Sequence, residues 1–531
     1  MTTSEDTAID LDALLPAYPA TCWDLVEQAR DARPDHVFLA DDHGRSLTGR
    51  QLHDAALGVA AAMHARGARR GSVVSWQLPT TLEAMVVMLA LSRIGAVQNP
   101  IIPVMREREV RFIVDQVGTD LLIVPETWRG FEHGTLARAL SSELGFDVLI
   151  ADHETDPTSV GGALRLELGD PAALPPMSAF DPLGVRWLFH SSGTTADPKG
   201  IRHTDRSVMA SATGTIVACR VTDADVNPLA FPISHIGGIA MLTASLMTGM
   251  RCVLFDTFDQ DTAARIAAHR PTMLGSAVPF FLAYFDAQRQ HGDDPLFPAL
   301  RMLVGGGAPV PSEVGRSARE VLGVNGIGNA WGLTEFPVAT FPDVDAPPDV
   351  LDHTAGRAVP GVRVRVVDGD ERELGPGEEG ELRLKGPQCF LGYLDPALDV
   401  DAFDGDRWFR TGDLGVVDDD GYVRVTGRLK DIIIRNAENI SALEVEEAVM
   451  RHPAVVDATV LGVADDAVGE RVAAVVVLAE GQMLSIDDLA RHCRDLGLAR
   501  HKTPERLEVR DALPRNPMGK VLKQQLRAEL A

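Results

Sequence analysis

The chain has 531 residues, of which 45% are hydrophobic and 24% charged, and it carries a formal net charge of -26. That length asks for two or more domains, and the composition excludes a disordered or fibrous chain. The acid excess is spread along the sequence with no basic patch beyond short local clusters, which argues against a nucleic-acid-binding surface.

The first residues, MTTSEDTAIDLDALL, are acidic and lack the basic start and apolar run of a secretory leader. The apolar runs at 85–96 and 239–247 are too short to span a bilayer. Five cysteines without a CxxC pair make neither a disulfide framework nor a thiolate cluster, so a reducing, cytoplasmic setting is expected.

Residues 21–30 and 49–66 predict helices, the second stopped by Gly67. A strand at 72–77, a mostly apolar helix at 82–95, a strand at 96–100, a helix at 106–116 and a strand at 121–124 follow. Residues 187–190 read as a strand. Beyond 222–227 come a strand at 228–231, a Gly-Gly turn and a helix at 239–247. Strands at 252–255, 273–276 and 301–304 then alternate with helices at 262–270 and 279–290. Helices alternating with short, nearly all-apolar strands predict an α/β fold whose mostly parallel sheet is covered on both faces. From Gly356 the rhythm becomes two-residue, broken by Asp-Gly and Pro-Gly turns, which predicts a small antiparallel β lobe at 356–427. A compact α+β unit follows: a helix at 441–452 with Ser441 as N-cap and Glu444 completing a capping box, strands at 458–463 and 471–478, and a helix at 485–496. The expected domains are 1–428, including the lobe, and 429–531. The junction is short enough to act as a hinge.

One stretch, HSSGTTADPKG at 190–200, concentrates hydroxyls, glycines and a lysine. Gly193 and Gly200 permit close backbone approach, and successive N–H groups in such a turn form a nest for anions. Ser191, Ser192, Thr194 and Thr195 add hydroxyl donors, and Lys199 adds a positive charge. The Walker spacing GxxxxGK[ST] is absent. On residue chemistry alone, a polyphosphate loop and an ordinary polar turn both stay open.

The same stretch closely resembles the phosphate-binding loop of the adenylate-forming superfamily, which contains acyl-CoA synthetases, the adenylation domains of peptide synthetases and luciferases. Ala196 stands where that loop usually has glycine. Further segments resemble the family's in the same order. GGGAP at 305–309 is similar to the segment beside adenine and the acyl group, which implies nucleotide contacts from Gly307, Ala308 and Pro309. WGLTE at 331–335 is similar to the family's YGxTE, and it implies nucleotide contacts from Asn329 just before it and from Trp331, Gly332 and Thr334. Trp331 takes the aromatic place against adenine, keeping a stacking face and losing a hydroxyl. Thr334 would face the phosphate, and Glu335 would help hold Mg²⁺. Asp413 in TGDLG and Arg428 in TGRLKD match the pair that grips the ribose. Lys430 matches the interdomain hinge, and Lys520 in LPRNPMGK matches the C-terminal catalytic lysine. His235 in FPISHIGG resembles the histidine beside the carboxylate and acyl pocket. Taken singly, Asp413 is equally a turn cap, Glu335 a helix-start acid, Lys520 a solvated tail charge and His235 a core histidine.

The resemblance covers the chain from about residue 20 onward. It implies a large N-terminal domain of stacked, mostly parallel sheets with a β lobe, and a small mobile C-terminal domain, as in acyl-CoA synthetases. It implies an ATP-dependent acid–thiol ligase of fatty-acid or lipid metabolism that uses Mg²⁺ and coenzyme A. The catalytic groups would be Lys520, His235, Thr194 and Glu335. Ser191, Ser192, Gly193, Thr194, Thr195 and Lys199 would hold phosphates. A pocket drawn from the segments around His235, 278–283, 304–307 and Trp331 implies an apolar fatty, cyclic or aromatic acid. Pro232 follows Phe231 where amino-acid-activating members place an aspartate, so a free ammonium would lack its counter-charge. Asn436 and Ala437 replace the two glycines of the family's GGENI, where the pantetheine arm would pass. This keeps open an enzyme that loads a carrier-protein thiol, and a non-catalytic nucleotide-binding homologue is the other alternative. The implied partners are a small carboxylic acid and coenzyme A, and a homodimer is among the assemblies left open.

Overall fold

Two helices, Leu82–Ile94 and Ile236–Thr248, are apolar nearly all round, and such helices must be buried on every side. The first is capped by the Thr81 hydroxyl and stopped by Gly95 at φ 78°. It packs between strand Val37–Asp41 of one sheet and strand Val97–Pro100 of another, and it thereby organises the large domain. The computed structural model describes residues 21–153, 163–177, 184–191, 198–436, 438–465, 468–515 and 520–530.

Five sheets are formed among the described residues. The largest has seven strands, in the order Gly392–Tyr393, Lys199–His203, Trp187–Ser191, Val97–Pro100, Val73–Trp76, Leu121–Val124 and Asp147–Ile150. It is parallel except at the Lys199–His203 strand, which runs antiparallel to both of its neighbours. A four-stranded sheet joins Ser46–Thr48, Val37–Asp41, Arg251–Leu254 and Val226–Leu229. A five-stranded sheet starts with three parallel strands, Met273–Ser276, Met302–Gly306 and Ile327–Leu333, and continues antiparallel through Phe336–Phe341 and Arg357–Ala358. The β lobe is an antiparallel sheet of Arg363–Val367, Gly380–Lys385, Phe409–Val417 and Val423–Arg428. The C-terminal unit holds the fifth sheet, with helices Ala442–Met450 and Ile486–Asp495 against it. A large mixed α/β domain followed by a smaller α+β domain is the expected fold. No helix among the described residues is long and apolar enough to cross a membrane.

Local expectations are corrected in several places. The strand expected at 228–231 lies at Val226–Leu229, with Pro228 on the edge of its sheet, where a missing N–H breaks no ladder bond. The Gly-Gly pair at 237–238 is the first turn of helix Ile236–Thr248, not a separate turn. A Cβ on Gly238 would lie 2.7 Å from the Cα of Ile233, so glycine is required by close packing. Helices Asp205–Cys219, His133–Leu144 and Ser312–Leu322 were not expected, nor were strands Val37–Asp41, Ser46–Thr48 and Asp147–Ile150. Ser441 caps its helix through the Glu444 N–H, yet Glu444 does not close the box. Its carboxylate binds the Lys502 ammonium at 2.7 and 2.9 Å, a charge-assisted pairing that outcompetes a bond to the cap N–H.

Arg45 is buried beside the carboxylates of Asp41 at 2.7 Å and Glu83 at 2.6 Å, and none of the three side chains exceeds 5% exposure. Removing the cation leaves two buried anions uncompensated. Arg45→Ala is therefore expected to destabilise the large domain by about 3 kcal/mol, read as a clear fall in Tm. An unchanged Tm would contradict the pairing.

Candidate active site

The site grows from a register. Strands Phe409–Val417 and Val423–Arg428 run antiparallel with Asp413 opposite Arg428. Gly412 takes φ 68°, and the Thr411 hydroxyl accepts the Asp413 N–H at 3.0 Å, which turns the Asp413 side chain out of the lobe. The carboxylate is buried. Its Oδ1 lies 2.7 Å from Nε of Arg428, and its Oδ2 accepts the indole N–H of Trp331 at 2.8 Å. Trp331 sits near the end of strand Ile327–Leu333, so this bond ties the β lobe to the five-stranded sheet. The indole N–H thus has a charged partner from another sheet.

Gly332 is required by its neighbours. A Cβ there would lie 2.2 Å from the Pro337 carbonyl oxygen, where the chain bulges and folds back into Phe336–Phe341. Glu335 follows, nearly buried, and its Oε1 accepts the Tyr393 hydroxyl at 2.8 Å. The Lys199 ammonium stands 5.2 Å from the centre of the same tyrosine ring, within cation–π reach. Burial, followed by the Glu335 charge, raises the Tyr393 phenol far above its ordinary value, so it stays a donor to Glu335. Thr334 is held through its carbonyl by Nε2 of His203 at 2.8 Å. Burial lowers His203 to about 4, so its ring is neutral, and Ser207 meets the other nitrogen at 2.9 Å. Neither Tyr393 nor His203 was expected. Their roles come from strand pairing between distant segments, which no local pattern announces.

The phosphate-loop candidates Ser192, Gly193, Thr194 and Thr195, together with Ala196, lie outside the described residues, as do Ala437 and residues 516–519 before Lys520. Ser191 and Lys199 bracket that loop as register partners of antiparallel strands. A Cβ on Gly200 would lie 2.2 Å from Cδ1 of Leu394, so a larger residue there would displace that side chain. In the GGGAP segment, Gly307 adopts φ 80°, and residues 306–309 form an exposed rim that includes Ala308 and Pro309. Asn329 ties this rim to the sheet by donating to the Ala308 carbonyl at 3.2 Å, while its own amide oxygen is buried without a partner.

Two lysines from the far side complete the cluster. Lys430 lies in the 3₁₀ turn Leu429–Asp431, directly after the lobe's last strand. Loss of water, followed by the Arg428 charge, lowers its ammonium pKa. Lys520 keeps part of its surface open to solvent, yet it lies within electrostatic reach of Arg428, Lys430, Asp431 and Asp413. Desolvation in the cleft, reinforced by the Arg428 and Lys430 cations, pushes it down to about 8.

His235 caps helix Ile236–Thr248, its Nδ1 accepting the Gly237 N–H at 3.2 Å. Burial lowers it to about 4, so the neutral ring carries its proton on Nε2. The ring lines a small cleft of about 20 Å³ with Ile101, Ile102, Met105, His190 and Thr334. Neither 278–283 nor 304–307 lines this cleft, which draws on the segment around His235, through Ser234, His235 and Ile236, and on Thr334, three residues after Trp331.

For a metal, Glu335 offers a hard oxygen donor, and no group of three or more His, Cys, Asp or Glu among the described residues forms a cage. One carboxylate plus substrate oxygens is how Mg²⁺ is commonly held, so the residues fit that ion. Asn436 adopts φ 49°, the left-handed conformation that asparagine tolerates better than most residues. The turn that a glycine would make in the GGENI pattern is therefore made without it.

Residues 26–394 match the family model described as AMP-binding enzyme, and residues 444–520 match the AMP-binding enzyme C-terminal domain. The medium-chain fatty-acid–CoA ligase of Escherichia coli is 32% identical over 516 residues, covering 96% of this chain and 90% of that protein. The salicyl-AMP ligase/salicyl-S-ArCP synthetase of Mycobacterium tuberculosis is 32% identical over 94% of this chain and 88% of its own length. The crystal structure of ATP-bound MatB from Rhodopseudomonas palustris superposes with a TM-score of 0.83 at 27% identity, covering 96% of this chain and 98% of that one.

The lowered ammonium of Lys520 has a direct readout. In competitive acetylation with peptide mapping, Lys520 is expected to reach half-maximal labelling near pH 8, against about 10.5 for an ordinary lysine. A midpoint at the ordinary value would remove the crowding with Arg428 and Lys430.

Proposed function

The chain belongs to the AMP-binding enzyme family, and from that premise we propose that it is an ATP-dependent acyl-CoA ligase acting on an apolar carboxylic acid. The family membership makes it an adenylate-forming enzyme: a carboxylate and ATP give an acyl-adenylate and pyrophosphate. The acyl group then passes to a thiol, releasing AMP. The observation that carries the reading is the convergence of Asp413, Arg428 and Lys430 with Lys520, brought in from the C-terminal unit.

In the first half-reaction the carboxylate oxygen attacks the α-phosphorus and pyrophosphate leaves. No side-chain nucleophile is needed, because the acid is itself the nucleophile. Asp413 and Arg428 would grip the ribose, Trp331 would offer its ring to adenine, and the unpartnered oxygen of Asn329 would accept from the adenine amino group. Lys520 would bridge the α-phosphoryl oxygens and the attacking carboxylate, where charge develops. The neutral His235 would donate from Nε2 to the acid. Ser191, Lys199 and, on sequence grounds, Ser192, Gly193, Thr194 and Thr195 would hold the pyrophosphate. Glu335 would hold Mg²⁺, which supplies charge neutralisation to the polyphosphate when bound.

The domains are proposed as 1–428 and 429–531. Rotation about Lys430 would withdraw Lys520 and bring the Asn436 turn toward the adenylate for thiol attack. Free cysteines at 22, 219, 252, 389 and 493 suit a reducing cytoplasm. The relative that is named a salicyl-S-ArCP synthetase supports one second reading, in which the acceptor is a carrier-protein thiol.

A panel of aliphatic, cyclic and aromatic acids, assayed for pyrophosphate release and thioester product with and without coenzyme A, tests the proposal. Pyrophosphate release without any coenzyme A thioester would sink the ligase reading, and no release from any acid would sink catalysis altogether. Lys520→Ala is expected to slow adenylation by about 100-fold or more while largely sparing thioester formation from preformed adenylate. Equal loss in both half-reactions would refute the rotation.

A further inference from the structure

Trp331, like Tyr393, commits its polar atom to a carboxylate, here across two sheets. Its indole N–H can only donate, and it donates to Oδ2 of Asp413 at 2.8 Å from a nearly buried position. The other oxygen, Oδ1, lies 2.7 Å from Nε of Arg428 but makes no aligned hydrogen bond, although it is buried. One oxygen of Asp413 is therefore anchored, and the other keeps acceptor capacity beside a cation.

Gly332, next along the strand, lies against the Pro337 carbonyl so closely that no Cβ fits, so the hairpin that carries Trp331 is tightly packed. From this geometry we infer that Trp331 is a positioning residue for sugar recognition. Its N–H sets the rotation of the Asp413 carboxylate so that Oδ1, beside Arg428, is presented to the hydroxyls of a ribonucleoside. The inference rests on the proposed ribose role of Asp413. It adds that discrimination between ribose and deoxyribose depends on an indole from another sheet. The ring face of Trp331 serves the base, and its edge serves the sugar through Asp413.

The test is equilibrium binding of ATP and 2′-deoxy-ATP to the full-length wild type, Trp331→Phe and Asp413→Asn. Phenylalanine keeps a stacking face and lacks the donor. ATP affinity is expected to fall about tenfold in Trp331→Phe, the scale of one hydrogen bond to a charged group. Affinity for 2′-deoxy-ATP should change about twofold at most, so that the preference for ATP collapses as it does in Asp413→Asn. Equal weakening of both nucleotides in Trp331→Phe would assign the ring to the base alone and overturn the inference. So would an unchanged preference in Trp331→Phe when Asp413→Asn has lost it. An unchanged preference in Asp413→Asn would overturn the ribose assignment itself and the inference with it. Trp331→Tyr, read by the same comparison, replaces the phenylalanine variant where that variant does not fold.

Discussion

A carboxylate removed from water must be held by donors or cations, and Asp413 meets that demand with groups from two separate sheets. The Trp331 N–H reaches it from the five-stranded sheet. Arg428 reaches it from the adjacent strand of the β lobe, just before the chain enters the C-terminal unit. The lobe's orientation against the large domain is therefore coupled to one ion's need for partners. The neighbouring lysines inherit this arrangement, because the position of Arg428 decides how closely Lys430 and Lys520 crowd it.

A second joint has the same logic. Tyr393 donates to Glu335 and offers its ring to Lys199, so a short edge strand links the acid proposed for the metal to the lysine proposed for the phosphates. The tyrosine is kept protonated by burial and by the charge it serves. His203, neutral and buried, fixes the Thr334 carbonyl from the same strand that begins with Lys199. Both phosphate-side segments are thereby braced by side chains from the seven-stranded sheet.

What could be read from sequence was what depends on local pattern. The helix expected at 82–95 announced itself by composition, and the two-residue rhythm after Gly356 marked the lobe. Asp413 and Arg428 were legible because their motifs recur in the family, and the strand register then explains why they meet. Helix Asp205–Cys219 was not legible. Its serines, alanines, threonines and glycine form no apolar stripe, and it is buried among neighbours that only the tertiary fold supplies. Glu444 fitted a capping box by spacing, but Lys502 arrives from the distant turn Arg500–Lys502 and takes the carboxylate. Gly332 matched a ligand position, whereas its lack of a side chain answers to a carbonyl in its own hairpin. Tyr393 carried no signal, since its partner is chosen by a pairing across the chain.

The crowding of Arg428, Lys430 and Lys520 acquires a further meaning against a chain whose formal net charge is -26. A strongly acidic protein repels anions over most of its surface at long range. Three cations gathered in one cleft, with Lys199 on the phosphate side, make a local sink in that field. An anion is repelled over most of such a surface and least where cations gather. The acidity spread along the sequence thus serves as the contrast that gives a small positive cleft its directional pull.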